Sequence, residues 1–161
     1  MTRQRVPNAE LYRDTARQNL LTNGGMEIWQ RGNGPFTAAS AYAADRWQIN
    51  LDGGDTLSVS REGSIVDPPS LYGVVSTYVK STGTFTMLFQ KMEDLYQLRT
   101  RTITFSARVR SSVVGGVRIG IGDSVNGYRY SAANVGTGTF ETLTISAPIA
   151  SAASYINIAV S

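Results

Sequence analysis

Asn19-Leu20-Leu21-Thr22-Asn23-Gly24-Gly25-Met26-Glu27-Ile28-Trp29-Gln30-Arg31-Gly32, followed by Tyr42-Ala43-Ala44-Asp45-Arg46-Trp47, is the stretch whose reading decides the fold. The Asn23-Gly24-Gly25 turn signal stands directly before an alternating segment. Met26 and Ile28 fall to one side and Glu27 and Trp29 to the other, which predicts a strand. Asp45-Arg46, flanked by Tyr42 and Trp47, reads as a polar knot holding one strand against another, with Arg31 as a further member. Trp29 and Trp47 are expected to be core or inter-sheet anchors, since a buried indole combines a large apolar area with one N–H to satisfy.

Outward from this stretch the chain reads as short strands separated by polar turns. Residues 45–51, 56–61, 72–80, 84–89, 101–110, 117–121, 128–132, 140–146 and 155–160 are the predicted strands. Several alternate cleanly: Ile103, Phe105, Ala107 and Val109 face a core, while Thr102, Thr104, Ser106 and Arg108 face out. Asp52-Gly53-Gly54, Asp67-Pro68-Pro69, Gly115-Gly116, Asn126-Gly127 and Gly136-Thr137-Gly138 supply the turns. A single helical turn is predicted within residues 91–98. Strands at this spacing predict an all-β protein, a β-sandwich of jelly-roll type. Residues 1–22 differ from the rest, with Arg3, Arg5, Arg13 and Arg17 set against Glu10 and Asp14. Two readings compete, a frayed terminus and the favoured one, an extended or short-helical arm capped at Asn8 and offering Leu11 and Tyr12 to a neighbour, ahead of a sandwich over 23–161.

Composition narrows the chemistry. The 161 residues suffice for one core, and the 16 glycines with many Ser, Thr and Val favour turns and strands. Neither Cys nor His occurs, so disulfides, thiolate or imidazole metal sites and His-based catalytic triads are excluded. No apolar run reaches membrane-span length, and no charged-then-apolar leader is expected. Net charge is +3, yet the arginines, Arg99, Arg101, Arg108 and Arg110 among them, are scattered; a solvated strand face or inter-subunit ion pairs is the expectation, and nucleic acid is not. Acidic residues adjacent in sequence, as at Glu93-Asp94, or close, as at Asp52 and Asp55, read as turn and helix-start residues, so no enzyme and no cofactor are expected.

The NLLTNGGMEIWQRG and YAADRW motifs resemble the opening of a jelly-roll module of bacteriophage virion proteins, tail-fibre and other appendage proteins above all. They also resemble the start of related carbohydrate-binding modules attached to bacterial glycanases. The block Phe85-Thr86-Met87-Leu88-Phe89-Gln90-Lys91-Met92-Glu93, then Thr102-Ile103-Thr104-Phe105-Ser106-Ala107, is similar to the middle of those modules, so the likeness spans most of residues 19–109. It implies a non-enzymatic structural protein of the virion, the arm docking on tail, baseplate or capsid proteins and the sandwich projecting outward as a homo-oligomer, plausibly a trimer. The alternatives are a capsid decoration or head-fibre protein and a free-standing carbohydrate-binding module.

A host-surface glycan is the ligand such a module implies. Tyr128 and Tyr130, alternating with Arg129 after the Asn126-Gly127 turn and preceded by Asp123, form the candidate glycan patch; the competing reading of the two tyrosines is cross-strand packing. Glu27 lies where related modules hold a structural Ca²⁺, and the competing reading is an ordinary outward strand residue.

Overall fold

A computed structural model describes residues 19–93 and 95–161. The arm residues Arg3, Arg5, Leu11, Tyr12, Arg13 and Arg17 lie outside the described residues. Among the described residues, nine strands follow in chain order: β1 Gln48–Asn50, β2 Thr56–Glu62, β3 Gly73–Val79, β4 Met87–Lys91, β5 Thr102–Arg110, β6 Ile119–Asp123, β7 Gly127–Tyr130, β8 Phe140–Pro148 and β9 Ile156–Val160. One helical turn, α1 Leu95–Leu98, lies between β4 and β5. Every strand predicted from 45 to 160 is present, with ends shifted by a few residues.

An antiparallel sheet of five strands, ordered β1-β4-β9-β6-β7, makes one layer. The β2-β3 and β5-β8 antiparallel ribbons supply the strands facing it. Ile49, Leu88, Ile119, Ile121, Ile156 and Ile158 point from the sheet into a core that they share with Leu57 and Val59 of β2 and with Phe105, Val109, Leu143 and Ala147 of the β5-β8 ribbon. The fold is an all-β sandwich of jelly-roll type. The solvent side of the β5-β8 ribbon is a hydroxyl ladder, Thr104 with Ser146 at 2.7 Å and Ser106 with Thr144 at 2.9 Å, as the alternation predicts. The arginines beside it act locally: Arg108 grips both oxygens of Asp67 at 2.7 and 3.1 Å, and Arg99 donates to the Ala153 carbonyl.

The deciding stretch folds differently from the expectation in one respect. Residues 26–29 form no strand. Asn23, itself in the left-handed region at φ 53°, uses its side chain as the partner a neighbouring strand would have been. Its Nδ2 donates to the Ile28 and Asp45 carbonyls at 3.1 and 3.0 Å, and its Oδ1 accepts from the Ile28 amide at 3.0 Å. Once an Asn side chain satisfies those backbone groups, the segment closes as a loop instead of joining a ladder. Both indoles then lock that loop: Trp29 Nε1 donates to the Met26 carbonyl at 2.6 Å and Trp47 Nε1 to the Asn23 carbonyl at 3.0 Å. Trp47 is 1 % exposed and Trp29 9 %, so both anchor the core as expected.

The polar knot is likewise two separate ties. Asp45 accepts from the Gln30 amide at 3.2 Å and from Arg31 at 3.5 Å, and Arg31 also lies over the Tyr42 ring. Arg46, at φ 74°, is turned away from Asp45 and pairs with Glu93. Residues 19–22 belong with the sandwich: Leu21 packs against the core, and Thr22 exchanges hydrogen bonds with the buried Gln90 side chain at 2.9 and 2.7 Å.

Candidate ligand-binding face

Because alternate strand residues point to opposite faces, the register fixes what the outer side of the five-stranded sheet displays. One row across the strands aligns Lys91, Asn157, Gly122 and Tyr128. The next aligns Gln48, Phe89, Ala159, Gly120 and Tyr130. Beyond it, Asn50 pairs with Met87, and Arg118 exchanges backbone hydrogen bonds with Ser161. Tyr155 ends the β9 side of the face, 37 % exposed. A mainly apolar row, with Ala159 and Gly120 buried between the half-buried Phe89 and Tyr130, thus runs between a row carrying Lys91 and Asn157 and a row carrying Asn50, Arg118 and Ser161.

The β6-β7 hairpin builds the aromatic end. Gly127 takes the positive φ of 68° that the tight turn requires, which sets Gly122 opposite Tyr128 and Gly120 opposite Tyr130. With no side chains on the two glycines, the tyrosine rings lie on the β6 backbone. A Cβ at Gly122 would come within 2.8 Å of the Tyr128 ring, and one at Gly120 within 2.9 Å of the Tyr130 ring. The rings stack on each other with centroids 5.9 Å apart and planes 16° apart. Asn157 Nδ2 donates to Tyr128 Oη at 3.1 Å. Burial raises the pKa of both phenols, so they remain neutral hydroxyls at physiological pH. Tyr130 Oη and Asn157 Oδ1 are buried and have no protein hydrogen-bond partner among the described residues.

Of the four glycan candidates read from sequence, Tyr128 and Tyr130 come together on this face, whereas Asp123 and Arg129 do not join them. Those two side chains leave the hairpin on its opposite side, because they sit one residue out of phase with the tyrosines. Asp123 is fully buried and structural. Its Oδ1 accepts from the amides of Val125 and Asn126, and its Oδ2 from Asn126 Nδ2 and, at 2.8 Å, from Arg129. Burial opposes its charge, but the Asn126 and Val125 donors together with the Arg129 guanidinium prevail and hold its pKa below the usual value. Glu27, the Ca²⁺ candidate, spends its carboxylate on the Leu71 and Tyr72 amides at 3.2 Å each. Among the described residues, no group of three acidic side chains is placed to hold a metal ion.

At the other end of the face lies a cleft of about 480 Å³ lined by Tyr42, Gln48, Phe89, Lys91 and the Arg46–Glu93 pair. Asn157 and Tyr155 lie outside every motif, and Phe89 and Lys91, though inside the 85–93 block, carry no mark of a ligand role there. The signal that could have located part of the face is local: Gly120-x-Gly122 lies opposite Tyr128-x-Tyr130 about a two-sided Asn126-Gly127 turn.

The fold and this face define an all-β sandwich with a partly aromatic, partly polar open sheet. No protein-family model matches the sequence. No curated protein matches it either. A solved structure, the "Xylan-Binding Domain from CBM 22, formally x6b domain", is similar over 81 % of this chain and 85 % of that one, with TM-score 0.50 and 14 % identity. This chain therefore shares the β-sandwich fold of a carbohydrate-binding module.

Proposed function

We propose that this chain is a non-catalytic glycan-binding module whose binding surface is the outer face of the five-stranded sheet. The observation that carries the reading is the stacked Tyr128–Tyr130 pair laid on a glycine floor, with Asn157 and Lys91 in line beside it. Flat rings offer apolar area to sugar C–H faces, and a neighbouring row of amide and ammonium groups offers partners for sugar oxygens. The shared fold with a xylan-binding domain supports the same reading. General acid–base glycoside hydrolysis calls for two opposed carboxylates; on this face Glu93 is committed to Arg46.

Affinity electrophoresis against a panel of plant and bacterial polysaccharides tests the reading. Replacing Tyr128 and Tyr130 together by Ala is expected to weaken retention about tenfold or more while near-ultraviolet circular dichroism still reports a packed core. Retention equal to that of the parent protein would retire this face.

A virion appendage is the setting we propose, on the motif order across residues 19–109. The arm read over residues 1–22 would then attach through residues ahead of 19, since 19–22 pack with the sandwich, and copies of the chain would be the nearest neighbours. The exposure of Val75, Tyr78 and Val79 along β3 supports assembly with further copies. Immunogold labelling of phage particles from the source culture, with antibody to residues 23–161, decides the setting. Label on tails or fibres supports an appendage, label over heads supports a capsid decoration protein, and unlabelled particles leave a free-standing module.

A further inference from the structure

The structure assigns a charge class to the ligand: we infer that the outer face takes an acidic, uronate-bearing polysaccharide in preference to a neutral one. This rests on the glycan-binding reading and goes beyond it. Three observations converge. The apolar row of Phe89, Ala159, Gly120 and Tyr130 crosses the middle of the sheet. Lys91 stands on one flank of that row and Arg118 on the other, both exposed and neither in an ion pair among the described residues. The carboxylate lining the cleft, Glu93, is matched by Arg46, so the cleft keeps the Lys91 charge in excess.

Register sets the span between the two cations. Lys91 and Arg118 are two strands and four residues apart, which at ordinary strand spacing and rise is roughly 16 Å on the diagonal. In an extended two-fold polysaccharide, successive ring substituents point to opposite sides of the chain. A chain lying along the apolar row presents carboxylates to both flanks, and the long side chains of Lys91 and Arg118 must take up an offset of roughly one ring along the row to reach neighbouring ones. Asn157, whose buried Oδ1 has no hydrogen-bond partner among the described residues, stands beside Lys91 in the same row. Two cations flanking an apolar strip suit a ligand that offers sugar C–H faces between its carboxylates, whereas a phosphodiester backbone calls for a denser basic surface.

The test uses the full chain and pairs of polysaccharides that differ only in charge: polygalacturonate, alginate and glucuronoxylan, each beside its carboxyl-reduced form. Affinity electrophoresis is expected to show tighter retention by the acidic member of at least one pair, falling as salt is raised. Lys91→Gln and Arg118→Gln are each expected to weaken acidic retention about three- to tenfold, Arg118→Gln with neutral retention unchanged and Lys91→Gln with a smaller loss on the neutral member than on the acidic one. Tyr128→Ala weakens both. Equal retention of acidic and reduced members, or no effect of either cation variant, overturns this inference and leaves glycan binding standing. Retention by none of the polysaccharides overturns glycan binding as well. Equal retention by single-stranded DNA would reduce the effect to unselective polyanion attraction and also overturn it.

Discussion

Replacing Gly122 by Ala puts a methyl group where the Tyr128 ring lies, 2.8 Å from its Cδ1 and Cε1 and 3.0 Å from its Cγ. Carbon atoms do not approach that closely, so the ring must leave the sheet. In doing so it gives up the Tyr130 stack and the 3.1 Å hydrogen bond from Asn157. Overpacking of this kind costs about 1–3 kcal/mol. Against it stands the gain of about 0.5–1 kcal/mol when Ala replaces Gly in a strand whose backbone tolerates it, and Gly122 is outside the positive-φ glycines. The net expectation is destabilisation of about 0.5–2 kcal/mol. In a Tyr128→Ala background the clash is gone, and the same substitution should stabilise by about 0.5–1 kcal/mol. The cycle therefore predicts a coupling of about 1–3 kcal/mol between the two positions, well above the scatter of independent sites. Urea denaturation followed by the fluorescence of the buried Trp29 and Trp47 measures all four proteins. Additivity within about 0.5 kcal/mol would refute the ring-on-glycine geometry on which the binding face depends.

Trp47→Ala should destabilise the sandwich by about 3–5 kcal/mol, since it opens a core cavity and leaves the Asn23 carbonyl without its donor; a thermal midpoint lowered by only a degree or two would contradict the anchor role. Asp55 sits 4 % exposed beneath the 81–86 loop, and the Ser81 amide lowers its pKa from an ordinary 3.8 to about 2, against the opposing effect of burial and with further donors in Tyr78, Thr86 and Gly83. A lowered carboxyl pKa stabilises the fold fully above the ordinary value and is lost as pH falls toward 2. Urea midpoints of the parent should therefore drop between pH 4 and 2, while Asp55→Asn should start lower at neutral pH and lose less over that window; parallel curves would remove Asp55 from the acid response.

How much of this was legible in the sequence can be judged strand by strand. Ile103 to Val109 alternates because its ribbon has one wet side, and that alternation is visible in any window. Turn chemistry marked the hairpin at Asn126-Gly127, and the aromatic spacing of Tyr128 and Tyr130 placed both on one face. The same alternation, followed one step further, puts Arg129 on the other face, where Asp123 waits. Their grouping as one patch failed because adjacent residues in a strand diverge. Residues 26–29 alternate as a strand does, yet the Asn23 side chain took the backbone partners first.

The class was already written in the chain: an absence of Cys and His, short alternating strands and polar turns leave an all-β sandwich without thiol or imidazole chemistry. Only the tertiary structure decided the face. Phe89, Lys91, Gly120, Tyr130 and Asn157 come from four strands scattered from residue 89 to residue 157 of the chain, and their alignment exists only through the β4-β9-β6-β7 register. Local alternation says which side of its own strand a residue takes. Which strands then lie side by side, and in what register, is set by burial of the shared core, and no window of sequence contains that information.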